Sequence, residues 1–381
     1  MLNFNLSEVN EQIRDISRKF AQEKIAPSVI ERDINSLYPK EIISQLAELG
    51  FMGFMVSPEW GGSGLDSISY VIALEEICKV DASIGIVVSV HNSLVCWIIE
   101  TYGTEEQKTK YLTKLASGEY IGAYCLSEPE AGSDARGIKT SAIKQGDKWI
   151  INGTKNWIST AENADLFIVF AQTNPELKHK GIACFIINKG TPGLSIGKKE
   201  DKMGMRSSDT CSVHFSNLEL TKDDLLGGEG EGFYIAMRGL NGGRIGIAAQ
   251  ALGIAQGAFE IALKYSKDRI AMGKPICEHQ LIQAKLAQMS MKIDAARLLI
   301  YKAAFLKDAK LDHKKESSEA KLFASTTAMD VTREAVQILG GYGYVREYLV
   351  EKMMRDAKVT EIYEGTSEIQ HIVIAREVLK I

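Results

Sequence analysis

The sequence lacks the patterns that mark disulfide frameworks and metal sites. Its six cysteines are scattered over 381 residues without a C-x-x-C pair, and its six histidines form no H-E-x-x-H or similar spacing. Scattered cysteines are typical of buried thiols in a reducing compartment, whereas small secreted domains and zinc sites pair them at short spacing. We therefore expect neither a disulfide framework nor a metal ion.

An excess of one charge is also missing. The chain has 45 Lys and Arg against 49 Asp and Glu, a formal net charge of -4. Charge therefore gives no reason to expect nucleic acid or an anionic membrane as the main partner. The most apolar run, residues 84–99, is short for a bilayer span and contains His91, Asn92 and Ser93. A buried helix is expected there, without membrane insertion.

The N-terminus has no recognisable targeting signal. Residues 1–15 carry acidic side chains and no apolar core, unlike a signal or transit peptide. The expected location is therefore the cytoplasm, for a bacterial-type chain, or the mitochondrial matrix, for a processed eukaryotic form. With 45% hydrophobic residues, the chain is long enough for two or three domains with cores of their own.

Two zones of the chain carry helix signals. Residues 1–120 include Thr104 and Gln107, spaced as a capping box, and Gly118, which is typical of a helix end. Residues 225–381 contain no proline after position 275 and no glycine between positions 276 and 339. Long helices joined by short loops are expected there, with a turn in the polar segment 310–318.

The zone between them has the period of strands. Residues 166–171 and 182–187 are short apolar runs, residues 211–215 alternate, and Asn152-Gly153 predicts a hairpin turn. Several short strands without intervening helices indicate antiparallel pairing. The sequence thus predicts a multidomain α+β fold. Its parts are an N-terminal all-α domain (1–120), a middle antiparallel β-barrel or sandwich domain (121–224) and a C-terminal four-helix bundle (225–381).

Common cofactor and nucleophile motifs are absent. The glycines at 227–232 and 340–343 do not match G-x-G-x-x-G, and neither group follows a strand of a βαβ unit. Gly197-Lys198 and Gly273-Lys274 are not followed by Ser or Thr, so there is no Walker A loop. No G-x-S-x-G elbow occurs either. These absences disfavour nicotinamide-dependent, nucleotide-hydrolysing and serine-hydrolase functions.

Glu364 lies at a predicted joint between two helices near the C-terminus. Residues 345–359 and 367–379 both have helical spacing, and Gly365 interrupts them. Ser367 and Gln370 have the spacing of a capping box for the second helix. A carboxylate on such a corner can point into a cavity, although a glutamate at a helix end is more often simply solvated.

A second segment of interest is the loop Tyr124-Cys-Leu-Ser-Glu-Pro-Glu-Ala-Gly-Ser-Asp134, which is rich in hydroxyls and backbone donors. It is followed by Lys155-Asn-Trp-Ile-Ser159, where an aromatic residue lies close to a hydroxyl. A Trp at such a place favours a flat partner to stack on. The alternative is that Trp157 is an ordinary core residue.

Together these segments resemble the acyl-CoA dehydrogenase family, most closely its short-chain, butyryl-CoA type. The resemblance covers essentially the whole chain. It rests on the order of the three zones and on the segments 124–134, 157–159, 202–206 (Lys-Met-Gly-Met-Arg), 243–248 (Gly-Arg-Ile-Gly-Ile-Ala), 268–269 (Asp-Arg), 337–341 (Gln-Ile-Leu-Gly-Gly) and 363–366 (Tyr-Glu-Gly-Thr).

The resemblance implies FAD-dependent α,β-dehydrogenation of an acyl-CoA thioester to the trans-2-enoyl-CoA. Glu364 would remove the α-proton while the β-hydrogen leaves as hydride to flavin N5. The Glu364 backbone N–H and a flavin ribityl hydroxyl would polarise the thioester carbonyl. Relatives acting on branched or long chains place the base at the position of Gly243, where glycine cannot serve, which strengthens the assignment to Glu364 and disfavours an isovaleryl-type substrate.

The resemblance also implies a set of FAD contacts. Ser127 would bind the pyrimidine edge, Trp157 would cover the flavin, Ser159 would reach N5 and Arg269 would bind the pyrophosphate. Ser159 replaces a frequent Thr, and Met272 a frequent Phe. The full expected set is Tyr124, Cys125, Leu126, Ser127, Ser133, Trp157, Ile158, Ser159, Arg269, Met272, Gln280, Gln337, Ile338, Leu339, Gly340, Gly341, Thr366, Ser367 and Glu368.

For the acyl-CoA substrate, the implied contacts are Ser133, Asn241, Gly242, Gly243, Arg244 and Gly365. Asn241 replaces the Asp common in the family, Arg244 could instead be a structural ion-pair partner, and Ser133 a simple loop hydroxyl. The family pattern further implies an electron-transfer flavoprotein as electron acceptor, and a homodimer or homotetramer in which a neighbouring subunit supplies part of the FAD site. Two alternatives stay open, an acyl-CoA oxidase of the same fold and a catalytically silent scaffold.

Overall fold

The computed structural model describes residues 5–380. The first part of the chain is helical, as predicted, and residue 118 has the positive φ typical of a helix end. Thr104 and Gln107 form the predicted capping box. The α-helices are α1 (Glu8–Phe20), α2 (Val29–Asn35), α3 (Lys40–Glu48), α4 (Ser67–Cys78), α5 (Ala82–Val90), α6 (Trp97–Tyr102), α7 (Glu105–Gln107) and α8 (Thr113–Ala116).

A mostly antiparallel sheet follows. Its strands are β1 (Gly122–Cys125), β2 (Ser141–Gln145), β3 (Lys148–Ser159), β4 (Leu166–Gln172), β5 (Ile182–Asn188), β6 (Leu194–Ile196), β7 (Thr210–Leu220) and β8 (Leu225–Leu226). The strand order is β6-β7-β3-β2-β4-β5-β8, with β1 paired to β4. The middle domain is mostly antiparallel, as predicted, but β4 pairs in parallel with β1 and at one position with β2.

The predicted hairpin exists, but its turn lies elsewhere. Gln145 pairs with Lys148, so Gly146 and Asp147 form the two-residue turn between β2 and β3. Asn152 and Gly153 lie inside β3, where the register against β7 shifts. Gly153 has φ +148°, and a Cβ there would lie 2.6 Å from the Thr140 hydroxyl, so this glycine marks a bulge in a continuous strand.

The last part of the chain is a helical bundle of α9 (Gly232–Asp268), α10 (Gln280–Asp308), α11 (Lys314–Leu339), α12 (Val350–Thr360) and α13 (Ser367–Leu379). A short hairpin, β9 (Ile270–Ala271) with β10 (Lys274–Pro275), follows α9. The predicted turn at 310–318 is shorter, because α11 begins at Lys314. The predicted helix at 345–359 begins only at Val350, after a 3₁₀ segment, Gly340–Tyr344.

The helical regions share one core, in which α4 and α5 pack against α9 to α12. Within residues 5–380, two helical stretches, Ala82–Tyr102 and Gly232–Asp268, are long and apolar enough to cross a membrane, but 94% and 78% of their most apolar windows are buried. Such burial is typical of core helices, in agreement with the buried helix predicted at 84–99.

A buried ion network fixes the end of the bundle against the rest of the chain. Lys352 of α12 contacts Asp81 at 3.0 Å and Asp356 at 2.6 Å, and Arg32 of α2 contacts Asp81 at 2.8 Å. Burial alone would raise the pKa of Asp81, but the two cations hold it below its usual value. Asp356 also accepts the Met205 N–H at 2.6 Å, so the network joins the bundle both to the N-terminal helices and to the loop before β7.

Candidate functional site

Glu364 lies on a tight corner between α12 and α13. Its φ is +52°, and that of Gly365 is +96°, so two successive residues adopt the left-handed region that side chains usually avoid. The next helix is capped by Thr366, whose hydroxyl accepts the Ile369 N–H. The predicted capping box of Ser367 and Gln370 is therefore wrong. Gln370 is instead buried, and its side chain donates to the Gly365 carbonyl at 2.9 Å.

The Glu364 carboxylate is buried without a hydrogen-bond partner. The residue as a whole is partly exposed, but both carboxylate oxygens are shielded from solvent and contact no protein donor among residues 5–380. Burial raises the pKa of Glu364 to about 7, although the positive charges of Lys321 and Arg244 oppose this. A carboxylate with this pKa and two free oxygens can act as a general base near neutral pH.

Gly243 of α9 leaves space for the Glu364 carboxylate. A Cβ at this position would lie 2.2 Å from Oε2 of Glu364 and 3.1 Å from the Leu94 side chain. Any other residue would therefore displace the carboxylate. The glycine that disfavoured a base at position 243 is also the residue that leaves space for the Glu364 carboxylate.

The carboxylate faces a cavity of about 190 Å³. Ile86, Val90 and Leu94 from the N-terminal helices form an apolar wall, packed with Leu240 and Tyr363. The cavity brings together many of the residues predicted from the sequence, namely Tyr124, Leu126, Ser127, Ser133, Trp157, Ile158, Ser159, Arg244, Glu364 and Gly365.

Trp157 is not a core residue. Its φ is +61°, it lies where the β3 register against β7 shifts, and 61% of its surface is exposed. The shift directs Trp157 away from the sheet interior, whereas the neighbouring Ile158 is buried. A large aromatic ring left open beside a cavity offers a stacking surface for a flat ligand. Cys125, by contrast, is buried in the core of the middle domain and does not line the cavity.

A buried ion pair joins the segment that contains Ser127 to the segment that contains Trp157. Lys155 is fully buried and contacts Glu128 at 2.7 Å and the Leu126 carbonyl at 3.0 Å. One position further along β3, the Asn156 N–H donates to the Ser127 carbonyl at 2.9 Å. The segments containing Ser127 and Trp157 are therefore held at a fixed separation beside the cavity.

Arg244 is buried without a carboxylate in ion-pair contact within residues 5–380. It donates to the Asn241 side chain at 2.9 Å and to Ser318 at 3.4 Å, and its Nε has no partner. This outcome disfavours a structural ion-pair role. Asn241 and Gly242 line a separate cavity of about 880 Å³ together with Arg238, Lys307 and other residues.

The other residues predicted to bind the cofactor do not line the Glu364 cavity. Arg269 and the segment 338–341 line another cavity of about 530 Å³. Met272 is 94% exposed, and Gln280 and Gln337 are exposed as well. Thr366, Ser367 and Glu368 form the start of α13, directly after the corner. The predicted FAD contacts thus include two groups at two separate cavities, together with several residues that line neither cavity.

Several residues of the site were not predicted. Ala135, Met237 and Ile369 also line the cavity. Nor did the sequence single out Lys321, which is fully buried under the corner. The available signal was a lone lysine among small residues on one face of α11, between Ser317 and Ala324.

Comparison with known proteins agrees with this architecture. The family models for the acyl-CoA dehydrogenase N-terminal, middle and C-terminal domains match residues 7–119, 123–218 and 230–379. A short-chain-specific acyl-CoA dehydrogenase of Clostridium acetobutylicum is 47% identical over 379 residues, covering 100% of both chains. The butyryl-CoA dehydrogenase structure from Megasphaera elsdenii has a TM-score of 0.98 at 46% identity, covering 99% of this chain and 100% of that one.

A further chain belongs to a solved structure described as an electron transferring flavoprotein of Acidaminococcus fermentans. It has a TM-score of 0.98 at 47% identity and covers 100% of both chains. These matches define an oxidoreductase of the flavoprotein class. The chain belongs to the acyl-CoA dehydrogenase family, dehydrogenates acyl-CoA and uses FAD as its cofactor.

The residues around the cavity fit this cofactor. The exposed Trp157 ring offers a stacking face, and Ser127 and Ser159 place hydroxyls beside the same cavity. Both oxygens of Glu364, which lines this cavity, lack a hydrogen-bond partner among residues 5–380. Because no protein donor satisfies them, the carboxylate is available to a ligand.

Proposed function

We propose that the protein oxidises short-chain acyl-CoA thioesters to trans-2-enoyl-CoA, with Glu364 as the base. One observation carries the proposal: the Glu364 carboxylate is buried, lacks any protein partner in the described chain and lies against Gly243 in a largely apolar cavity. Burying a carboxylate without partners is costly, so its retention suggests a use in chemistry.

When bound, FAD would supply the hydride-accepting chemistry that removal of the β-hydrogen requires. Glu364 removes the α-proton, which is a very weak acid, and the raised pKa of the carboxyl brings base and acid closer. The Glu364 backbone N–H donates to no acceptor among residues 5–380, so it is free to bind the thioester carbonyl as negative charge develops. Trp157, Ser127 and Ser159, which line the same cavity, would hold the cofactor, and the apolar wall would exclude water.

The preference for short acyl chains rests on the wall of the cavity. Ile86, Val90 and Leu94 are all buried and close the apolar side, where Tyr363 packs against them. The Tyr363 hydroxyl donates to Gln250, which in turn donates to the Ala82 carbonyl at 2.7 Å, so the tyrosine cannot swing aside without breaking this chain. Room for a long acyl chain would require several of these packed residues to move.

The raised pKa of Glu364 predicts the pH dependence of the reaction. Because the base must be ionised, kcat/KM for butyryl-CoA should fall tenfold per pH unit below about pH 7 and level off above it. The measurement is kcat/KM with an artificial electron acceptor between about pH 5 and about pH 9. A rate that stays constant down to pH 5 (roughly the range of an ordinary carboxyl) would refute the raised pKa.

The two groups of predicted FAD contacts support a homodimer or homotetramer. Arg269 and residues 338–341 do not line the Glu364 cavity of their own chain, so in this proposal they reach the FAD of a neighbouring subunit. Exposed apolar side chains along α10 offer a surface for such contacts, namely Leu281, Met291, Leu298 and Phe305. Analytical ultracentrifugation of the holoenzyme tests this, and a monomer with full FAD content would contradict it.

We further propose an electron-transfer flavoprotein as electron acceptor, in line with the Acidaminococcus fermentans match. The oxidase alternative predicts hydrogen peroxide release during turnover without an added acceptor, which the dehydrogenase does not.

We also propose a location in the cytoplasm, or in the matrix for a mitochondrial form, in line with relatives from both bacteria and mitochondria. The proposed domain boundaries lie near residues 120 and 224.

A further inference from the structure

Lys321 differs from the other buried lysines of the chain. Within residues 5–380, the lysines classed as buried are Lys155, Lys321 and Lys352. Lys155 pairs with Glu128 at 2.7 Å, and Lys352 pairs with Asp356 at 2.6 Å. In the described part of the chain, Lys321 has no carboxylate within ion-pair distance, and its Nζ donates instead to the Gly365 carbonyl at 2.7 Å. Burying an ammonium without a paired carboxylate costs free energy of folding. We therefore expect Lys321 to have a role that offsets this cost.

The contact lies on the corner that carries the proposed base. Glu364 and Gly365 both have positive φ, and the structure must hold them there. Two buried side chains do so: Lys321 binds the Gly365 carbonyl, while Gln370 binds the same carbonyl at 2.9 Å and the Glu364 carbonyl at 3.3 Å. Both peptide groups after Glu364 are thereby fixed in orientation.

The charges around the corner come from several elements. Lys321 of α11 and Arg244 of α9 both favour the ionised form of Glu364. Glu361 and Glu368, on either side of the corner, act with Glu364 to favour the protonated form of Lys321. Burial, and to a lesser extent the Glu364 charge, raises the pKa of Tyr70, Tyr124 and Tyr363, so these three side chains stay neutral. Burial lowers the pKa of Lys321 to about 8, so the ammonium is largely charged at neutral pH.

We propose that Lys321 is a positioning residue for the Glu364 base. It fixes the Gly365 carbonyl, so that the carboxylate and the free N–H of Glu364 both face the cavity, and its positive charge favours the ionised carboxylate. The inference rests on the proposed role of Glu364 and deepens it. Burial would otherwise keep the carboxyl protonated, and Lys321 holds it in the range in which it can accept a proton at physiological pH.

Three substitutions separate the hydrogen bond from the charge. Lys321→Met removes both, Lys321→Gln keeps a donor without the charge, and Lys321→Arg keeps the charge. Lys315→Met is the matched control, because Lys315 lies on the same helix but pairs with the partly exposed Glu316 and Glu319. All variants are compared as FAD-loaded enzymes.

The pH profile of flavin reduction by butyryl-CoA is the first readout. In Lys321→Met and Lys321→Gln, the acid limb should move upward by about one pH unit, as expected for loss of a nearby opposite charge. Lys321→Met should also reach a lower plateau at high pH, since the corner loses a fixed carbonyl. Lys321→Arg and Lys315→Met should keep the wild-type limb.

The second readout does not depend on turnover. Infrared titration of the resting enzyme follows the protonated carboxyl band of Glu364, identified by its absence in Glu364→Gln. This band should persist to higher pH in Lys321→Met and Lys321→Gln than in the wild type. If Lys321→Met does not fold, Lys321→Gln carries the test.

An acid limb and a carboxyl band that are unchanged in the folded Lys321 variants would overturn the proposal. That result is distinct from failure of the proposed function. If Glu364→Gln reduces its flavin as fast as the wild type, Glu364 is not the base, whatever the infrared titration reports about Lys321.

Discussion

Glu364→Gln should give a yellow, FAD-loaded protein that butyryl-CoA reduces about 10²–10⁴-fold more slowly than the wild type, the usual contribution of a general base. Glutamine has nearly the same shape as glutamate but cannot accept a proton. Both oxygens of Glu364 lack protein partners, so the substitution breaks no hydrogen bond of the described chain. Anaerobic stopped-flow absorbance of the flavin measures the effect.

Glu361→Gln is the control for this prediction. It makes the same chemical change three positions earlier, where the carboxylate pairs with Lys358 at 2.7 Å near the surface. The Glu361 carbonyl, which accepts the Ser367 N–H, is unaffected. Glu361→Gln should therefore reduce its flavin like the wild type. Near-wild-type bleaching of Glu364→Gln would remove Glu364 from the role of base.

Gly243→Ala should lower flavin reduction by about 10²-fold, the cost expected for misplacing a reacting group by about 1 Å. The added Cβ would lie 2.2 Å from Oε2 of Glu364, so the carboxylate must move. Because Oε2 is the end of a flexible side chain without partners, that movement should cost little stability. The melting temperature and FAD content should therefore stay close to those of the wild type, while the rate falls.

Gly242→Ala provides the neighbouring comparison on the same helix. Its Cβ would approach only the end of the Lys307 side chain, at 3.9 Å, so we expect a much smaller loss of rate. Equal losses in the two variants would indicate a general effect on α9 rather than a displaced base. A Gly243→Ala enzyme with full activity would contradict the contact between this glycine and the carboxylate.

Local sequence signals predicted the elements well and their ends less well. The apolar runs at 166–171 and 182–187 became β4 and β5, and the alternation at 211–215 became part of β7. Asn152-Gly153, a strong hairpin signal, instead forms a bulge, because Gly153 packs against Thr140 within a longer strand. The turn at Gly146-Asp147 competes for the same hairpin, and only the pairing of whole strands decides between them.

Local signals likewise predicted some residues of the cavity and missed others. Glu364, Trp157 and Ser159 line the cavity, and the sequence singled them out because a helix corner and a short motif mark them. Lys321 was not, because a lysine in a helix is usually solvated and its burial depends on packing between α9, α11 and the corner. Likewise, no local pattern shows that Arg269 lies apart from Trp157 in the same chain, since that separation arises from the arrangement of the bundle.

Anaerobic addition of acyl-CoA thioesters of increasing chain length to the purified holoenzyme tests the central claim most directly. Flavin absorbance and the appearance of trans-2-enoyl-CoA are followed together. Butyryl-CoA should bleach the flavin and yield one enoyl-CoA per flavin reduced, with less rapid bleaching as the acyl chain lengthens beyond the wall formed by Ile86, Val90 and Leu94. A flavin that stays oxidised with every thioester, or bleaching without enoyl-CoA, would contradict the account.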